Sequence, residues 1–163
     1  MEFNLYRNDF NKEEAHLMNP LTLAFIGDAV YEVFVRTYIV THNKNMKVQQ
    51  LHNKTVGYVK AKAQSDFAKK IVDIFTEDEL AVFKRGRNAK SGVPKNANVG
   101  EYRWATGFEA VVGYIYITGN DDRLSYLLGK LIEGDGDIND KGKIDWTYTK
   151  SRESSSISSK TLL

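Results

Sequence analysis

Cysteine is missing from the 163-residue sequence, which removes disulfide scaffolds, thiolate zinc sites, iron–sulfur clusters and thiol nucleophiles together and fits a reducing, cytoplasmic setting. Proline occurs only twice, so little in the chain interrupts long helices. No run approaches the roughly 20 uninterrupted apolar residues of a spanning helix, and the opening MEFNLYRNDF lacks the basic-then-apolar order of a secretory signal. No membrane partner is expected. An excess of one charge is missing too: 23 Lys and Arg stand against 21 Asp and Glu, which excludes a bulk polycation. His16, His42 and His52 lack H-E-x-x-H spacing, and no G-x-S-x-G elbow, Walker A loop or dinucleotide-binding glycine pattern occurs.

What is present is 42% apolar residues, enough to close one hydrophobic core. They recur mostly at three- and four-residue spacing, and strand-like alternation is scarce, so the expected fold class is all-α. Asn19 and Pro20 form a cap and first-turn signal for a central helix over Leu21 to Val40. A second helical region runs from Lys47 to Asp73 with a break expected near Gly57, and Leu51, Val56, Val59, Ala63, Phe67 and Ile71 are expected to face inward. Thr76 and Glu79 make a capping box for the next helix, which runs into KRGRNAK. Ser91 to Gly100 reads as an exposed loop, and helix resumes near Glu101 and runs to Gly119. Asn120 caps a last amphipathic helix ending at Gly134. One domain is expected over residues 1–134, with 135–163 a polar, serine-rich tail. The tail's DINDKGKIDWTY resembles a calcium loop only in part, since Lys141 and Tyr148 stand where oxygen ligands are needed.

Charge is uneven along the chain. Residues 1–43 hold 3 basic and 6 acidic side chains, residues 44–103 hold 13 and 6, and residues 104–163 hold 7 and 9. A basic middle on a neutral or acidic frame points to contact with a polyanion through one face. Lys84, Arg85, Arg87, Lys90 and Lys95 gather at the loop, with Lys60 and Lys62, and then Lys44 and Lys47, as further candidates.

Two acids stand out because they interrupt apolar helices beside glycine. In FIGDAVYE, Gly27 inside a helix implies close approach by another backbone, and Asp28 and Glu32 follow on one face. In TGFEAVVGY, Gly107 and Gly113 flank Glu109 in the same manner. Ion pairing with Lys or Arg is one reading of these acids. The other is that Asp28 and Glu109 face one another, where they would repel and raise each other's pKa unless a divalent cation lay between them. Oxygen ligands with room for water favour magnesium or manganese.

LAFIGDAVYE, KRGRNAKSG and ATGFEAVVGY, in this order and spacing over residues 15–133, together resemble the catalytic domain of the ribonuclease III family, in particular its short form, the Mini-ribonuclease III family. The resemblance implies a helical, homodimeric endonuclease that hydrolyses both strands of double-stranded RNA with magnesium, leaving 5′-phosphates. For the short form it implies cytoplasmic maturation of precursor ribosomal RNA, at the 23S ends, with a ribosomal protein as a further partner. It assigns Asp28 and Glu109 to catalysis and metal binding, with Asp66 or Glu32 acting through water. Larger relatives carry further acids where this chain has Leu21, Ala24 and Thr106, so fewer direct metal ligands are expected. The alternative is a helical double-stranded RNA-binding protein without catalytic activity.

Overall fold

The computed structural model describes residues 6–7 and 10–133, and among these every regular element is helical. Seven α-helices follow in order: α1 (Lys12–Leu17), α2 (Pro20–His42), α3 (Val48–Val59), α4 (Ala61–Ile71), α5 (Glu77–Asn88), α6 (Val99–Ile117) and α7 (Asp121–Glu133). A 3₁₀ turn, Val72–Ile74, leads out of α4.

Side chains at the ends set most of these boundaries. The Asn19 side chain accepts from the Leu21 amide at 2.9 Å and Pro20 opens α2, filling the first turn's unpaired donors. Thr76 and Glu79 form the expected reciprocal capping box of α5. Asn98 caps α6 through the Glu101 amide, so this helix starts at Val99, two residues before the expected Glu101. Gly119 takes φ +73° after α6, the left-handed conformation that ends helices and favours glycine. Asn120 then accepts from the Arg123 amide at the start of α7.

The break within residues 47–73 lies at Lys60, not at Gly57. Gly57 is buried inside α3, while Lys60 takes the extended backbone (ψ 149°) that ends one helix and precedes the next. No glycine or proline marks that corner. The Gln64 amide donates to the Val59 carbonyl at 3.0 Å, serving one of the acceptors left open where α3 ends. Of the positions expected to face inward, Phe67 and Ile71 are buried and Leu51, Val59 and Ala63 partly so; Val56 is exposed.

Helix α6 is the axis around which α2, α4 and α5 pack. Its crossing with α2 has no side-chain spacer: a Cβ on Gly27 would overlap the Glu109 carbonyl, and one on Gly113 would overlap the Leu23 carbonyl. On the α5 side, a Cβ on Gly107 would lie 2.8 Å from Phe83. Beyond these contacts Tyr31, Phe67 and Phe108 meet edge to face, with centroids 5.1 and 5.4 Å apart. The Tyr31 hydroxyl donates to the Tyr58 carbonyl at 3.2 Å. Tyr31 and Phe108 are fully buried, so these rings serve the core. The expected tail, the domain boundary at residue 134 and the calcium-loop-like string lie outside the described residues.

Candidate active site

The glycine crossing decides where the acids meet. Because α2 and α6 touch at Gly27 and Gly113, Asp28 is carried to the neighbourhood of Glu109, and the two carboxyls lie within hydrogen-bonding reach. Asp28 is on the exposed rim and Glu109 is partly buried behind it.

Their electrostatics follow from this placement. Burial, the Asp28 charge and a hydrogen bond to Asp28 push the Glu109 carboxyl up to about 8, while hydrogen bonding from Gln64 pulls the other way. Burial and then Glu32 raise Asp28, and the hydrogen bond with Glu109 lowers it. A carboxyl raised this far favours its protonated form near neutral pH, in which it can donate to Asp28. Neither carboxylate meets a lysine or arginine among the described residues. A pair of oxygen ligands without a protein counter-charge suits a hard divalent cation.

The other two candidate acids have cationic partners of their own, although the Glu32 charge still acts on Asp28. Glu32, one turn after Asp28, accepts from Arg36 Nε at 3.1 Å, so the ion-pair reading holds for Glu32 and not for Asp28. Asp66 is exposed and accepts from Lys62 at 2.9 Å on its own helix. Ala24 and Thr106 are buried, and the Thr106 hydroxyl donates to the Tyr102 carbonyl at 3.0 Å. No group of three or more His, Asp or Glu side chains suited to a metal occurs among the described residues.

Lys84, Lys90, Lys95 and Lys60 are exposed around the end of α5, the following loop and the α3–α4 corner, and Lys44 and Lys47 are exposed ahead of α3. Lys62 is exposed and paired with Asp66. Arg87 is partly buried, with its guanidinium 5.9 Å from the centroid of Trp104. Arg85 is the exception in the basic run: its guanidinium turns inward and donates to the carbonyls of His16 and Met18. It ties the α1–α2 corner to α5 through both terminal nitrogens, which are thereby taken from contact with a phosphate. Gln64, which neighbours the Glu109 carboxyl, has no mark in the sequence, because a neutral side chain carries no charge signal.

A family model for the ribonuclease III domain matches residues 21–120. The chain belongs to the ribonuclease III family. It is 51% identical to the Mini-ribonuclease 3 of Clostridium tetani over 76% of this chain and 83% of that protein. It is also 51% identical to the Mini-ribonuclease 3 of a Thermoanaerobacter species, over 72% of this chain and 82% of that one. A crystal structure of a Fusobacterium nucleatum protein superposes with a TM-score of 0.66 at 30% identity, covering 71% of this chain and 94% of that one. As a ribonuclease III family member the chain is an endoribonuclease whose hydrolysis leaves 5′-phosphomonoesters. The all-helical fold expected from spacing is thus the fold of this family's domain. No helix among the described residues is long and apolar enough to cross a membrane.

Proposed function

We propose that this ribonuclease III family member is a cytoplasmic, magnesium-dependent endoribonuclease, with manganese able to serve, that cuts double-stranded RNA as a homodimer in the maturation of precursor ribosomal RNA, 23S ends included. The observation that carries the reading is the convergence of Asp28 and Glu109 without a protein cation between them. The ribosomal step, and a ribosomal protein as accessory partner, rest on the resemblance to the short form.

Asp28 and Glu109 would hold the divalent cation. When bound, the cation lowers the pKa of coordinated water and stabilises the charge growing on the scissile phosphate. To serve as a ligand Glu109 would release its proton to solvent, and Asp28, which accepts the hydrogen bond from Glu109, would supply the second oxygen donor. The α2–α6 crossing fixes both backbones, so little reorganisation is needed to present two oxygens at once. No side chain has to form a covalent bond to the RNA.

Lys84, Arg87, Lys90, Lys95, Lys60 and Lys62 would contact phosphates. Duplex RNA offers phosphates and 2′-hydroxyls but little readable base sequence, and exposed cations suit such a surface. Homodimerisation finds support on the outward face of α2, where Phe25 is 82% and Val33 66% exposed. Large apolar side chains left bare in a row are common anchors of protein interfaces.

The test is cleavage of a structured ribosomal RNA precursor in magnesium or EDTA, with product ends mapped. Cuts on both strands carrying 5′-phosphate, abolished by EDTA and by Asp28→Asn, support the reading. Binding without cleavage under every metal condition supports the non-catalytic alternative. Near-normal cleavage by Asp28→Asn removes the assigned site.

A further inference from the structure

We propose that Gln64 is a positioning residue for the divalent cation: its amide holds the Glu109 carboxylate toward Asp28, and its Oε1 accepts a hydrogen bond from a water molecule that the cation carries. This rests on the metal assignment proposed above and extends it to a third helix.

Gln64 lies on α4 and is 1% exposed, an unusual burial for a long amide. A glutamine offers two N–H donors and one carbonyl acceptor. One N–H donates to the Val59 carbonyl at 3.0 Å, where α3 ends. The side chain also hydrogen-bonds the Glu109 carboxyl. Oε1 has no partner. Capping α3 alone would use one donor and would not require a second polar atom to be buried without a partner, which native structures mostly avoid. The amide thus has polarity left over beside Glu109, the group nearby that must be held in a fixed orientation.

Neutrality is what suits a glutamine to this place. A lysine at residue 64 would neutralise Glu109 and compete with the cation, and a glutamate would add a third like charge to a pair already in repulsion. An amide orients the carboxylate without altering the charge of the site. With few acids in reach, the cation must keep much of its water, and buried acceptors beyond the ligands govern how that water is held.

The experiment uses the full chain without RNA and Mn²⁺ as the probe, with free Mn²⁺ counted by electron paramagnetic resonance. Wild type, Asp28→Asn, Gln64→Met and Gln64→Asn are compared, each checked by circular dichroism and thermal melting. Gln64→Met fills the same space without donors or acceptors. Its Mn²⁺ affinity is expected to fall about tenfold, the lower end of what loss of an outer partner costs, with duplex RNA binding in EDTA unchanged. Gln64→Asn, shorter but still an amide, should fall between Gln64→Met and wild type. Cleavage by Gln64→Met should recover as magnesium is raised. Wild-type Mn²⁺ affinity in folded Gln64→Met overturns the proposal, whatever happens to its melting temperature, because a purely structural cap would shift melting alone. If Gln64→Met does not fold, Gln64→Asn decides by the same comparison. If Asp28→Asn binds Mn²⁺ as wild type does, the metal assignment itself fails and the role of Gln64 goes with it.

Discussion

Glu109 keeps its proton up to about pH 8 in the folded, metal-free protein, against an ordinary value near 4.5. Between those values the folded state binds more protons than the unfolded chain, so stability is greatest at the acidic end of the window and declines as pH rises through it. Asp28, also raised, acts in the same direction. Urea unfolding in EDTA should show the protein losing stability from pH 5.5 to pH 8, by an amount on the order of a few kcal/mol. Glu109→Gln should flatten most of that slope, and magnesium should restore stability at pH 8 by taking the proton's place. A slope that Glu109→Gln leaves intact would locate the titrating group elsewhere. That Asp28 and Glu109 meet was legible as one of two readings, the other being ion pairing, because each acid interrupts an apolar helix beside a glycine that invites close packing. Gln64 was not, since its importance arises from burial beside Glu109. Nor could the run KRGR reveal that Arg85 alone turns inward, because the carbonyls it serves lie almost 70 residues away in the chain.

At the level of helices, the molecule depends on backbones touching. Gly27 tolerates no Cβ because the Glu109 carbonyl occupies that space, and the obstacle is main chain, which cannot swing aside as a side chain would. Gly27→Ala should therefore separate α2 from α6, lowering stability by about 3 kcal/mol or more as overpacking does at its severe end. Activity should fall further than stability accounts for, because the two acids move apart. Chemical denaturation with cleavage assayed on the folded fraction checks both. Full activity in a folded Gly27→Ala protein would contradict the link between crossing and site. This contact was readable from glycine set in an apolar helical run. The α3–α4 corner was not: a search for breakers selected Gly57, whereas the chain turns at Lys60, held by side-chain bonding from Gln64 that only the assembled fold supplies. Val56 fell on the wrong face within α3 itself, whose buried side is set by Lys54, Thr55 and Tyr58, a side that apolar residues alone do not mark.

For the whole molecule, two surfaces carry the remaining expectations. Phe25 and Val33 leave α2 with an apolar outer face although its inner face is already packed on α6. Phe25→Asp should convert the proposed dimer to a monomer, read by light scattering during size exclusion, while circular dichroism stays helical. A wild-type protein that is monomeric at assay concentration would remove the dimer. The basic surface should make duplex RNA binding strongly dependent on salt. Replacing Lys84, Lys90 and Lys95 with alanine should weaken binding and lower the slope of log affinity against log salt by about 1 for each phosphate no longer neutralised. An unchanged slope would place the RNA elsewhere. Charge imbalance in the sequence located this region, but only the fold separates exposed lysines from the inward arginine.

The crossing of α2 and α6 has one further effect. Because the same few peptide units join the two longest helices and aim both acids, the protein has no way to loosen its site while keeping its core. Amide hydrogens around Leu23, Gly27, Glu109 and Gly113 should therefore exchange only with the last cooperative unit to open, so that the chemistry and the scaffold share a single lifetime.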